Sequence, residues 1–106
     1  MTLTATLAAR GLTHQRAHHH AHEVLDVGGH VVVTGTAHQV WRWLHHADLD
    51  FARIAAGLSW PELAHEVGAS IAWERYDDPL VTDEVVDAYR RWAASSGYDV
   101  GPRRTA

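Results

Sequence analysis

The stretch GLSWPELAHEVGASIAWERY, residues 57–76, decides how the second half of the chain is read. Ser59 and Glu62 form a capping box, in which each side chain satisfies an orphan amide at a helix start. Pro61 suits a first turn that needs no N–H. Leu63, Ala64 and Val67 give this helix one apolar face. Gly68 then turns the chain, since glycine enters the left-handed region without a steric clash. The run SIAWERYDD predicts a second helix, buried through Ile71, Ala72, Trp73 and Tyr76 and stopped by Pro79. Two short helices braced at Gly68 are expected.

Reading backwards from Gly57, DLDFARIAAG groups Phe51, Ile54, Ala55 and Leu58 and predicts a helix that ends at the glycine. Ahead of it, Thr36 and Gln39 make another capping box. The segment AHQVWRWLHHA then sets Val40, Trp41, Leu44 and Ala47 on one stripe, as a separate helix. Trp43 lies off that stripe, toward a second neighbour or a partner. His45 and His46, near the end of this helix, favour its negative pole when protonated. Earlier still, HEVLDVGGHVVVTG reads as a β-hairpin, with Gly28-Gly29 as a two-residue turn between apolar runs.

Reading forwards, Thr82 caps DEVVDAYRRWAAS, with Asp83 and Glu84 at its positive end and Arg90 and Arg91 toward its negative end. Val85, Val86, Tyr89, Trp92 and Ala93 make a continuous stripe. The expected class is α+β, mainly helical: an N-terminal β-hairpin packed on a cluster of four to five short helices. One domain over 1–106 is expected. It comprises a His-rich arm at 1–22, the hairpin at 23–35, a helical unit at 36–95 with the paired helices at 49–76, and a basic tail at 96–106.

Composition narrows the function. A chain of 106 residues that is 46% hydrophobic supports one modest core, and five tryptophans can anchor it. With no cysteine, disulfides, thiolate metal sites and cysteine nucleophiles are all excluded. No apolar run reaches membrane-spanning length, and the first residues lack the basic start and apolar centre of a signal peptide. A cytoplasmic protein without a membrane partner is expected. All nine basic residues are arginine, which suggests GC-rich coding, as in an actinobacterium or its phage. The formal charge of −4 opposes a broad nucleic-acid surface, although ten histidines make that charge fall away on acidification.

The residues Gly57-Leu58-Ser59-Trp60, Glu62-Leu63-Ala64, Val67-Gly68, Ser70 and Ala72-Trp73-Glu74-Arg75-Tyr76 resemble the helix-turn-helix segment of small actinobacterial and actinophage DNA-binding regulatory proteins. The segment is about two residues shorter than its counterparts before the Trp-Glu-Arg run, within the usual two-helix arrangement. The resemblance implies a small regulatory protein of phage or mobile-element type that binds DNA. Ser70 and Arg75 are then the base-facing candidates, with Arg53, Arg42, Arg103 and Arg104 toward phosphates. Against them stand Glu74, Asp77 and Asp78.

Other readings compete. No nucleophile elbow, phosphate-binding glycine loop or metal triad with a carboxylate is present, so a non-enzymatic role without a cofactor is expected. Trp41, Trp73 and Trp92 fit core stripes, whereas Trp43 and Trp60, if exposed, form an aromatic patch for a host or regulatory protein. The helix bearing Val85, Tyr89 and Trp92 is a candidate homodimer surface. Finally, His14, His18 and His22 share one face of a helix and are candidate metal ligands. On a strand, His18, His20 and His22 would share a side instead, and the same run also reads as a solvated polar stretch.

Overall fold

The computed structural model describes residues 2–17 and 21–98. Of the described residues, 50% are helical and 14% are in strands, which makes the class α+β, mainly helical. They fall into two compact units whose boundary lies between Trp43 and Leu44, and each is described by itself.

The first unit opens with α1 (Leu3–Ala8), whose first turn is capped by Thr2. Three antiparallel strands follow: β1 (Thr13–Arg16), β2 (His22–Leu25) and β3 (Val31–Gly35), in the order β1-β2-β3. The hairpin read from the sequence is therefore two strands of a three-stranded sheet. Part of the expected arm, Thr13-His14-Gln15-Arg16, is the third strand. Its alternation was hard to see because only one residue of the four, His14, is even partly covered.

The turn also differs from the expected Gly-Gly pair. Asp26 accepts hydrogen bonds from the amides of Gly28 and His30, both at 2.9 Å, and thereby organises a longer loop. Val24 pairs with Val33 but Leu25 pairs with Val31, so Val32 is a bulge. Leu7, Val24 and Val33 are buried in this unit.

Next comes α2 (Ala37–Ala56), a single helix of 20 residues where two had been expected. Its start is the anticipated capping box: Gln39 Oε1 accepts from the Thr36 amide at 2.7 Å, and Thr36 Oγ1 from the Gln39 amide at 3.2 Å. Nothing in HHADLD interrupts it, since neither Gly nor Pro occurs between Thr36 and Gly57. His45 and His46 consequently sit in mid-helix, away from its negative pole. The helix crosses the boundary between the units.

In the second unit, α3 (Trp60–Val67) follows the sequence reading closely. Both bonds of the Ser59–Glu62 capping box are present, and Gly68 closes the helix at φ 72°. The partner helix is absent. Residues 70–76 contain no helical turn, and the next helix is α4 (Asp83–Ser95), capped by Thr82 as anticipated. The paired unit expected at 49–76 is thus the end of α2, then α3, then an irregular segment where the second helix of the pair at Gly68 was expected.

That segment is held from outside. The Tyr89 hydroxyl donates to the Ile71 carbonyl at 2.8 Å, and His46 Nε2 donates to the Trp73 carbonyl at 2.8 Å. These donors do the work that i+4 amides do in a helix, so the buried backbone remains satisfied without one. The core gathers Leu49, Ala52, Trp60, Leu63, Ala64, Trp73, Val81, Val86, Tyr89 and Ala93.

Candidate interaction surface

An aromatic box fills the centre of the second unit. His46 stacks on Trp60 with ring centroids 5.1 Å apart and meets Trp73 edge-on at 5.0 Å. Tyr89 closes the group, edge-on to Trp60 at 5.5 Å. Burial holds His46 below the ordinary imidazole range, against the opposing effect of its bond to the Trp73 carbonyl. Burial also pushes the Tyr89 phenol up. The box is closed to partners, so Trp60 is core rather than the exposed anchor expected from sequence. Its neighbour in that expectation, Trp43, is half-buried.

The same packing takes up part of the candidate dimer surface. Tyr89 is fully buried, and Val85 and Trp92 pack against the core cluster, so this stripe of α4 is used inside the unit.

The residues assigned to DNA fare unevenly. Arg53 is engaged by its own helix end: Nη2 donates to Asp50 at 2.7 Å, Nη1 to the Leu58 carbonyl at 2.7 Å, and its guanidinium lies 5.4 Å from the Trp60 ring centre. That leaves no fork for a phosphate. Ser70 and Arg75 are exposed on the irregular segment rather than on a helix, and Arg75 lies 3.4 Å from the Asp77 carboxylate. Arg42 belongs to the first unit and is half-buried. Arg103 and Arg104 lie outside the described residues. No groove-entering helix carries Ser70 and Arg75, and from Leu44 to Tyr98 ten Asp or Glu outnumber four Arg.

The metal candidates are rearranged. His14 and His22 are not successive turns of a helix; they sit on β1 and β2. His18 and His20 lie outside the described residues, so neither spacing involving them is placed.

The surface that sequence reading missed is the outer side of α2. Val40, Leu44, Ala47, Phe51 and Ile54 recur at the spacing of one helix stripe. Val40 and Leu44 are buried. Ala47 is exposed, Phe51 is 76% exposed and Ile54 is 62% exposed. The stripe thus begins covered and ends bare, while Leu49 and Ala52 on the other side of the helix enter the core. Dividing α2 into two helices hid this, because Phe51 and Ile54 then read as a core face of their own.

Among the described residues no helix is long and apolar enough to cross a membrane. No family model matches the chain, and neither a curated protein nor a solved structure shows significant similarity to it.

Proposed function

We propose that this chain is a small non-enzymatic regulatory protein that works by docking on another protein through the outer side of α2. The observation that carries the reading is the exposure of Phe51 and Ile54, one turn apart, at the end of a stripe that starts buried at Val40 and Leu44 and is bare from Ala47 on. Large apolar side chains in this arrangement are the anchors by which a helix enters a partner's groove.

The net charge of this part of the chain narrows the partner. With ten acidic residues against four arginines from Leu44 to Tyr98, the complement is an apolar pocket rimmed by Lys and Arg. The nucleic-acid-binding face of a regulatory protein has that chemistry. Direct DNA reading draws no support from this surface: its expected helix is irregular chain, and the surrounding charge repels phosphate.

Affinity capture followed by calorimetry on the purified partner tests the proposal. A one-to-one complex is expected, weakened at least about tenfold by Phe51→Ala with Ile54→Ala, as for a hot spot. It should also weaken with rising salt and be indifferent to Arg75→Ala. A complex unaffected by loss of both apolar residues overturns the proposal. So does a DNA shift at low salt that is lost with Arg75→Ala.

A further inference from the structure

A separate site stands on the sheet of the first unit. In the β1–β2 ladder His14 is opposite Val24 and His22 is opposite Arg16, which makes the two histidines diagonal neighbours on one side of the sheet. Their rings approach across the ladder with centroids 5.1 Å apart, and the two Nδ1 atoms are 3.0 Å apart. The other nitrogen of His14 is already committed, with Nε2 2.7 Å from Thr4 Oγ1 on α1. If Nε2–H donates to that hydroxyl, the Nδ1 lone pair of His14 is left facing His22. Orientation of one ring nitrogen by a hydrogen bond on the other is the arrangement that prepares histidine for a metal.

We propose that His14 and His22 form a paired-imidazole site for a divalent copper or nickel ion. The separation selects the class of ion. Metal–nitrogen bonds of about 2.0–2.1 Å spanning this gap subtend an angle of about 94°, close to the right angle of square-planar and octahedral centres. A tetrahedral zinc centre needs the nitrogens a few tenths of an ångström further apart. In the absence of metal, His22 Nδ1–H donates to His14 Nδ1. The ion binds to one side of the line between the two nitrogens, about 1.4 Å off it at these bond lengths, and His22 then carries its proton on Nε2. Among the described residues no cluster of three His, Cys, Asp or Glu is gathered. His14 and His22 are the protein ligands that the described residues supply.

Histidine runs bind such ions without any folded site, so the test begins by removing that source. In the His18→Ala/His19→Ala/His20→Ala variant, copper(II) titration should still show one bound ion, with two nitrogen couplings in its paramagnetic resonance spectrum. Adding His14→Ala or His22→Ala should weaken this binding by about tenfold or more, and Thr4→Ala should weaken it less. Circular dichroism of each variant checks the fold. In the unaltered protein, substoichiometric copper(II) should broaden the ring protons of His14 and His22 together. Loss of all binding in the triple variant overturns the site. Unchanged affinity on adding His14→Ala does the same, as does broadening confined to residues 18–20.

Discussion

The helix α3 and the segment 71–76 are neighbours in sequence, similar in length, and each delivers one tryptophan to the same aromatic box. Their backbones are satisfied in opposite ways. In α3 the solution is local: Ser59 and Glu62 cap the start and Gly68 closes the end. In residues 71–76 two carbonyls, of Ile71 and Trp73, borrow the Tyr89 hydroxyl and the His46 ring as donors, while Tyr76 accepts from the Trp73 indole. Ser70 has Trp73 rather than Glu or Gln three residues on, so no reciprocal box starts a helix there. Helical structure after Gly68 was lost to donors supplied by α2 and α4.

The largest effect is expected at Trp73. Its side chain is fully buried and its carbonyl and indole both anchor the irregular segment. Trp73→Ala should cost about 3–5 kcal/mol in chemical denaturation. A loss under about 1 kcal/mol, the range of an ordinary surface change, would show the segment to be peripheral. The next effects are smaller and form a crossed pair. Tyr89→Phe removes the donor to Ile71 and should cost about 1 kcal/mol, raising amide exchange in 71–76 while α3 stays protected. Ser59→Ala should cost about 1 kcal/mol with the reverse pattern. Matching exchange patterns in the two variants would mean that the two regions open as one, and the distinction between local and borrowed partners would fail.

One of the two borrowed donors, His46, is also sensitive to acid. His46 is held below its ordinary value of 6.5 by burial among the aromatic rings. The unfolded chain therefore takes up a proton at higher pH than the folded one. The stability linked to His46 is full above pH 6.5 and is lost as pH falls through that value toward the folded pKa. Melting temperature should drop between pH 7.5 and 5.5, and His46→Gln should drop less over the same interval. His22 shifts in the same direction and adds to the fall. An equal drop in the variant would assign the acid sensitivity elsewhere.

What was legible in the sequence was whatever short-range chemistry decides. The boxes at Thr36–Gln39 and Ser59–Glu62, the glycine ends at 57 and 68, the hairpin and the Thr82-capped α4 all depend on residues within a few positions of each other. The rest depends on distant partners. Strand β1 is a strand because β2 lies beside it, and nothing in Thr13-His14-Gln15-Arg16 announces that. Residues 71–76 have apolar positions compatible with a helix, but Tyr89 and His46 reach them from 18 and 27 positions away. Of the candidate surface, the stripe along α2 was present in the spacing of Val40, Leu44, Ala47, Phe51 and Ile54. Where its cover stops was not, because burial at Leu44 and exposure at Phe51 are properties of packing.

The smallest predicted stability effect falls on that bare end, and its smallness is the point. Phe51 and Ile54 make little contact with their own unit, so Phe51→Ser with Ile54→Ser should change unfolding free energy by less than about 0.5 kcal/mol for each site. Serine has lower helix propensity than the best formers, which sets a small adverse contribution of a few tenths of a kcal/mol. Removal of exposed apolar surface works the other way on solubility. A change near zero keeps both side chains free of the fold, as the proposed docking surface requires. A loss of 2 kcal/mol or more, the range of a buried side chain, would place them in a packed interior in solution and withdraw the docking surface.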